Sequence, residues 1–100
     1  GYGIIRDLTG HGIGRAMHED PAVPNFGEPG RGARLKAGMT LAVEPMIAMG
    51  GWQVTEDGDG WTIRTLDRLP CAHYEHTIAL NAEGPPEILT LPGFVWEEGA

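Results

Sequence analysis

The chain has 100 residues, is 41% apolar, and carries a net charge of −7 from 14 acidic and 7 basic side chains. That length suits one domain or part of one, no run approaches the ~18 apolar residues of a membrane span, and an acidic chain without a basic stripe argues against nucleic acid as a partner. The single cysteine, Cys71, cannot close an internal disulfide, and the opening residues do not read as a secretory leader, so a reducing, cytoplasmic setting away from the membrane is expected.

Tyr2-Gly3-Ile4-Ile5-Arg6 is short, apolar and β-branched, which predicts a strand. Asp7 to Thr9 lead into Gly10-His11-Gly12-Ile13-Gly14-Arg15, where alternate glycines permit a sharp turn and leave the His11 imidazole uncrowded. Residues 13–19 have room for one helical turn, which Pro21 and Pro24 would stop. Asn25, Pro29 and the glycines at 27, 30, 32 and 38 predict a long surface loop over 24–38. Met39 to Glu44 alternate, with Met39, Leu41 and Val43 on one face and Thr40, Ala42 and Glu44 on the other. Pro45 is expected to end that ladder.

A hairpin is predicted next. Trp52 to Thr55 and Trp61 to Thr65 flank the turn cluster Glu56-Asp57-Gly58-Asp59-Gly60. His73 to Leu80 read as one strand, with His73, Glu75, Thr77 and Ala79 on one face. Asn81 to Pro86 turn the chain into a last strand, Glu87 to Leu91, and residues 92–100 read as a loose acidic tail. The pattern is mainly β with long loops.

Three side chains carry the sharpest chemistry. His11, Glu44 and Glu75 form a plausible divalent metal set, since imidazole nitrogen and carboxylate oxygen are both ligands for such ions. Spacing alone leaves the plainer alternative open: two solvent-facing glutamates on a half-buried sheet. Other chemistries fare worse. Serine is absent and Cys71 has no base beside it, so nucleophilic catalysis has no strong candidate. The glycines at 10, 12 and 14 do not match the dinucleotide fingerprint, and no paired-histidine zinc motif is present. Asp57 and Asp59 read as turn residues, Tyr2, Phe26 and Trp52 as core or loop anchors, and Cys71 as a small buried filler.

Several blocks in register add to this reading. Gly10-His11-Gly12-Ile13-Gly14-Arg15 with His18-Glu19, then Lys36-Ala37-Gly38-Met39-Thr40, Glu44-Pro45-Met46, Asp59-Gly60-Trp61-Thr62 and Tyr74-Glu75-His76-Thr77 resemble the type I methionine aminopeptidase family, from Gly1 to about Thr90. The proline-specific peptidases of the same fold typically carry Glu-Pro-Gly where this chain has Glu44-Pro45-Met46, and type II aminopeptidases need a long insertion for which there is no room.

The resemblance implies an α+β pita-bread fold, with residues 1–91 as the C-terminal half of that domain and mainly a curved antiparallel sheet. It implies two divalent metal ions, from among cobalt, manganese, iron and zinc, with His11 and Glu44 as ligands and Glu75 as the bridging carboxylate. His18 matches a histidine that stabilises the tetrahedral intermediate, Glu44 a proton shuttle, and Met17 and Trp61 the substrate pocket. Two aspartate ligands belong to an N-terminal half, so the isolated chain is expected to be an inactive fragment. Implied partners are nascent polypeptides beginning with methionine, the ribosome that presents them, and that N-terminal half. Met17 stands where an aromatic residue is usual, and His73 where a polar amide is common. His76 is expected on the sheet face opposite Glu75. A non-catalytic binding module is the competing expectation, but such a module has no need to keep His11, His18, Glu44 and Glu75 together.

Overall fold

Ten strands and no helix make up residues 1–90, the part of the chain that the computed structural model describes. In chain order they are β1 (Gly3–Ile4), β2 (Gly10–Gly12), β3 (Glu19–Val23), β4 (Thr40–Val43), β5 (Met46–Ala48), β6 (Val54–Glu56), β7 (Ile63–Thr65), β8 (Cys71–His73), β9 (His76–Ala79) and β10 (Glu87–Ile88). They form a three-stranded sheet ordered β1-β5-β8, a five-stranded sheet ordered β10-β9-β4-β2-β3, and the separate hairpin β6-β7, with every pairing antiparallel. The expected β-rich architecture with long loops is what the chain adopts.

The two larger sheets share their chain segments. β1 leads to β2, β4 to β5, and β8 to β9, and each time the chain leaves one sheet and enters the other. At the middle crossing Pro45 has no N–H to give to a ladder. The backbone is still tied together there: Tyr74 N donates to Pro45 O at 3.2 Å and Ile5 N to Met46 O at 3.2 Å. Two expectations therefore change. Pro45 ends β4 but a further strand follows it at once, and the single strand expected over residues 73–80 is two strands, broken at Tyr74-Glu75.

Buried side chains lie close to these crossings. Ile5, Met46 and Ala48 make a small core with Leu8 and Val54 packed on it, while Leu41 and Ala42 are buried in the five-stranded sheet. The glycine-rich segment is not a turn. It is β2, a central strand between β3 and β4, with Gly10 and Gly12 buried. A Cβ on Gly10 would run into the Ala42 carbonyl oxygen, and one on Gly12 into that of Asp20. Close approach of neighbouring backbone, rather than turning, is what glycine provides here.

The helical turn expected over residues 13–19 is absent. Those residues bend back through Gly14 N donating to Ala16 O at 3.0 Å, and Ala16 N donating to Glu19 Oε2 at 2.9 Å. β3 then bulges at Asp20-Pro21, since His11 pairs with Ala22 but Gly12 with Glu19, and Pro21 costs no ladder bond a central strand would need because β3 is an edge. The long loop after it is present as expected. Asn25 Nδ2 pins its start to the carbonyls of Ile5 and Leu8, both at 3.2 Å. The Arg6 guanidinium lies over the rings of Phe26 and Trp52, at 5.2 and 5.0 Å from their centroids, so these aromatics are loop anchors.

The predicted hairpin forms with shifted bounds: Val54 lies opposite Thr65 and Glu56, expected in the turn, lies in β6 opposite Ile63, while Trp52, Gln53, Trp61 and Thr62 fall outside the strands. Cys71 departs from expectation, because β8 is the outer strand of its sheet and leaves the thiol exposed rather than buried. β10, the last strand among the described residues, stops at Ile88, with Leu89 and Thr90 in a turn instead of continuing the expected strand, and Leu91 and the expected acidic tail over residues 92–100 lie outside the described residues. No helix among the described residues is long and apolar enough to cross a membrane.

Candidate metal centre

Pleat parity brings three side chains to one place. His11 lies opposite Ala42, and Ala42 opposite Thr77. Two residues on from Ala42 is Glu44, and two back from Thr77 is Glu75, so all three potential ligands fall on the same side of the ribbon. Both glutamates sit where the chain changes sheet, Glu44 between β4 and β5 and Glu75 between β8 and β9. Ala42, fully buried, is the small residue facing the His11 backbone.

One ligand atom from each of His11, Glu44 and Glu75 lies within 4.8 Å of the others. Ligands to a single ion stand ~2.0–2.2 Å from it, so two of them are at most about 4.4 Å apart. The cluster is within a few tenths of an ångström of that limit. His11 Nδ1 is 2.8 Å from Gly12 O, and since a carbonyl only accepts, Nδ1 carries the proton. Its Nε2 then points at Glu44 Oε2, 2.9 Å away, with both side chains only 12% exposed. A nitrogen and a carboxylate lone pair at that distance repel unless a proton or a cation lies between them. The donor set therefore fits a divalent cation.

The second oxygen of Glu44 is also engaged. His73 Nε2 donates to Glu44 Oε1 at 3.1 Å, reaching in from the end of β8. Sequence reasoning left His73 without a role; the available signal was its parity with Glu75, two residues on. His18 stacks obliquely on His11, with ring centroids 4.2 Å apart. His76 turns to Thr90, its Nδ1 2.9 Å from Thr90 Oγ1.

A cavity of about 500 Å³ opens beside this cluster. Ile5, Leu8, Met46 and Val54 supply its apolar floor, while His11, His18, Glu44 and His73 give it one polar wall. Trp61 and Cys71 line it too, Trp61 from the end of the hairpin with 86% of its surface exposed. Met17, on the bent segment before β3, is 72% exposed and is not among the lining residues.

The acidic residues of the hairpin form a separate, structural group. Asp59 is held down to about 2 by the Thr62 hydroxyl, then by the backbone N–H groups of Thr62 and Trp61. Asp67 is lowered by the N–H groups of Gly51 and Leu69. Asp57 pairs with Arg64 at 2.7 Å. These are the turn roles expected for Asp57 and Asp59.

Residues 1–82 match the profile of metallopeptidase family M24. The chain is 58% identical over 91 residues to a methionine aminopeptidase of Clostridium perfringens, covering 91% of this chain and 36% of that protein. It is 47% identical over 83 residues to methionine aminopeptidase 1 of Bacillus subtilis, covering 83% of this chain and 34% of that one. Among solved structures, a methionine aminopeptidase from Thermotoga maritima superposes with a TM-score of 0.86 at 54% identity, covering 90% of this chain and 36% of its own. One from Rickettsia prowazekii gives 0.84 at 46% identity with the same coverage. The chain thus spans about a third of the length of the relatives it matches.

Proposed function

We propose a function from the premise that the match supplies: this chain belongs to metallopeptidase family M24, and its strands are part of that family's pita-bread fold. Membership brings divalent-metal use. The function is that of a metal-dependent aminopeptidase, removing the initiator methionine from nascent polypeptides, with residues 1–91 contributing to its catalytic domain. The observation that carries this reading is the convergence of His11, Glu44 and Glu75 within 4.8 Å beside an apolar-floored cavity.

In this reading His11 Nε2, Glu44 and Glu75 would hold a pair of divalent ions, from among cobalt, manganese, iron and zinc. Such ions, when bound, polarise a peptide carbonyl and make water a better nucleophile at neutral pH. The protein's own groups do the rest. The Gly12 carbonyl orients His11 through Nδ1–H, leaving Nε2 free to ligate. Glu44 Oε1 accepts one hydrogen bond, from His73, and the lone pair left on it takes up a proton and delivers it to the departing amine. His18 donates a hydrogen bond to the oxygen on which charge develops, an interaction stronger in the transition state than in the ground state. The apolar floor of Ile5, Leu8, Met46 and Val54, with Trp61 at the rim, suits a methionine side chain. Met17 is a second pocket wall that comes into play with a bound peptide. The aspartate ligands implied by the resemblance would come from an N-terminal half of the same domain, and the ribosome would be the source of substrate.

A chimera tests the reading. The corresponding third of the Thermotoga maritima enzyme is replaced by this chain, and methionine release from a Met-Ala-Ser peptide is measured with cobalt or manganese present. Retained release that disappears on chelation, and in Glu75→Gln, supports the function. A folded chimera that binds divalent metal as its parent does yet releases no methionine would overturn it.

A further inference from the structure

We propose that His73 is a positioning residue for Glu44, holding that carboxylate in a one-oxygen presentation to the metal; this rests on the metal-centre reading above. Glu44 is gripped at both oxygens. Oε2 faces His11 Nε2 at 2.9 Å, and Oε1 accepts from His73 Nε2 at 3.1 Å. The two imidazoles come from different strands, His11 from β2 and His73 from β8, and reach the carboxylate from opposite ends of the crossing. His11 is itself a candidate ligand, but His73 lies outside the three-residue cluster of ligand atoms.

Three features of the structure single His73 out. Its side chain is 51% exposed, so it is not there to fill a core. It ends β8, the outer strand, with its Cα opposite Met46, two residues beyond Glu44, and that register aims it back across the sheet crossing. It also lines the same cavity as Glu44 and His18, so its contact with Oε1 forms part of the cavity wall.

The consequence follows from carboxylate chemistry. A free carboxylate can offer a cation one oxygen or both. With Oε1 committed to an N–H donor, only Oε2 remains directed at the space shared with His11 and Glu75. Hydrogen-bonding partners of this kind fix the orientation of ligands, and losing one typically costs 10–100-fold in metal affinity. A glutamine at position 73 can supply the same donor from its amide, whereas an alanine cannot.

The test uses the full chain and cobalt(II) alone as the probe. Affinity is measured by calorimetry, coordination by the visible absorption of the bound ion, and folding of each variant by circular dichroism. His73→Ala is expected to lower affinity ~10–100-fold and to weaken the visible bands, as the released Oε1 joins the coordination sphere. His73→Gln is expected to restore both affinity and spectrum. The proposal is overturned if His73→Ala leaves affinity and spectrum unchanged, or if His73→Gln is as impaired as His73→Ala. Glu75→Gln separates failure of the metal centre from failure of the His73 role. If it and the unsubstituted chain bind cobalt alike, the metal-centre reading itself fails. If it loses cobalt while His73→Ala does not, only the role of His73 fails.

Discussion

The carboxylates of the β6-β7 hairpin and those at the sheet crossings make opposite use of the same functional group. Asp59 is satisfied by its own neighbours: the backbone N–H groups of Trp61 and Thr62 and the Thr62 hydroxyl all lie within three residues of it. Glu44 is met instead by imidazoles from strands far away in sequence, His11 on β2 and His73 on β8. A carboxylate saturated by local donors shapes a turn and has nothing left for a ligand. A carboxylate faced by an imidazole nitrogen and a second carboxylate, at the edge of a cavity, is arranged for a cation. Acidic content alone does not distinguish them.

Substitutions in the two regions should therefore separate cleanly. The largest effect is expected from Glu75→Gln, because an amide removes the charge that offsets bound cations. Calorimetry with cobalt or manganese should show a loss exceeding the 10–100-fold typical of a supporting residue, and turnover of the chimera should fall with it. Retention of full metal affinity by Glu75→Gln would place the site elsewhere.

His18→Ala should behave differently. Metal binding should stay close to that of the parent while kcat of the chimera drops roughly 10²–10³-fold, the usual cost of one donor to a developing oxyanion. Parallel loss of metal would make His18 a ligand instead. Smaller again, Trp61→Ala and Met17→Ala should alter the preference among first-residue side chains by ~1–3 kcal/mol, read from kcat/KM for peptides beginning with methionine, leucine or norleucine. An unchanged preference in Trp61→Ala would remove that residue from the pocket wall.

The hairpin should give the smallest effect on the site. Asp59→Ala is expected to lower Tm slightly and leave cobalt affinity untouched. The pH dependence has a definite sign. Asp59 has its folded pKa lowered to about 2, so its contribution to stability is present above the ordinary carboxylate range and is lost as pH falls from about 4 toward 2. Carboxyl NMR titration of Asp59 checks this; an ordinary midpoint near 4 would mean that the Thr62 contacts do not hold in solution.

How far these regions could be read in advance differs for a physical reason. The hairpin was legible because strand patterning and turn residues are properties of a few adjacent residues. The alternation in Thr40-Leu41-Ala42-Val43-Glu44 and in Glu75-His76-Thr77 also placed both glutamates on one side correctly, since a pleat has period two whichever sheet it belongs to. The change of sheet at Pro45 and again at Tyr74-Glu75 was not legible. It depends on which distant segment supplies the next hydrogen bonds. The glycines around His11 show the same limit, since a central strand and a turn demand the same residue for different reasons.

What the sequence determined by itself is the inventory and its parity: one imidazole between two glycines, and two carboxylates on matching faces of segments about thirty residues apart. What only the tertiary structure decided is the environment of those groups. Pairing of β2 and β9 with β4, and of β1 and β8 with β5, brought His73 onto Glu44, left Cys71 exposed at an edge, and opened a cavity beside the cluster. Side-chain direction follows from local backbone geometry, whereas neighbours across a sheet are set by hydrogen bonds between strands that no window of sequence contains.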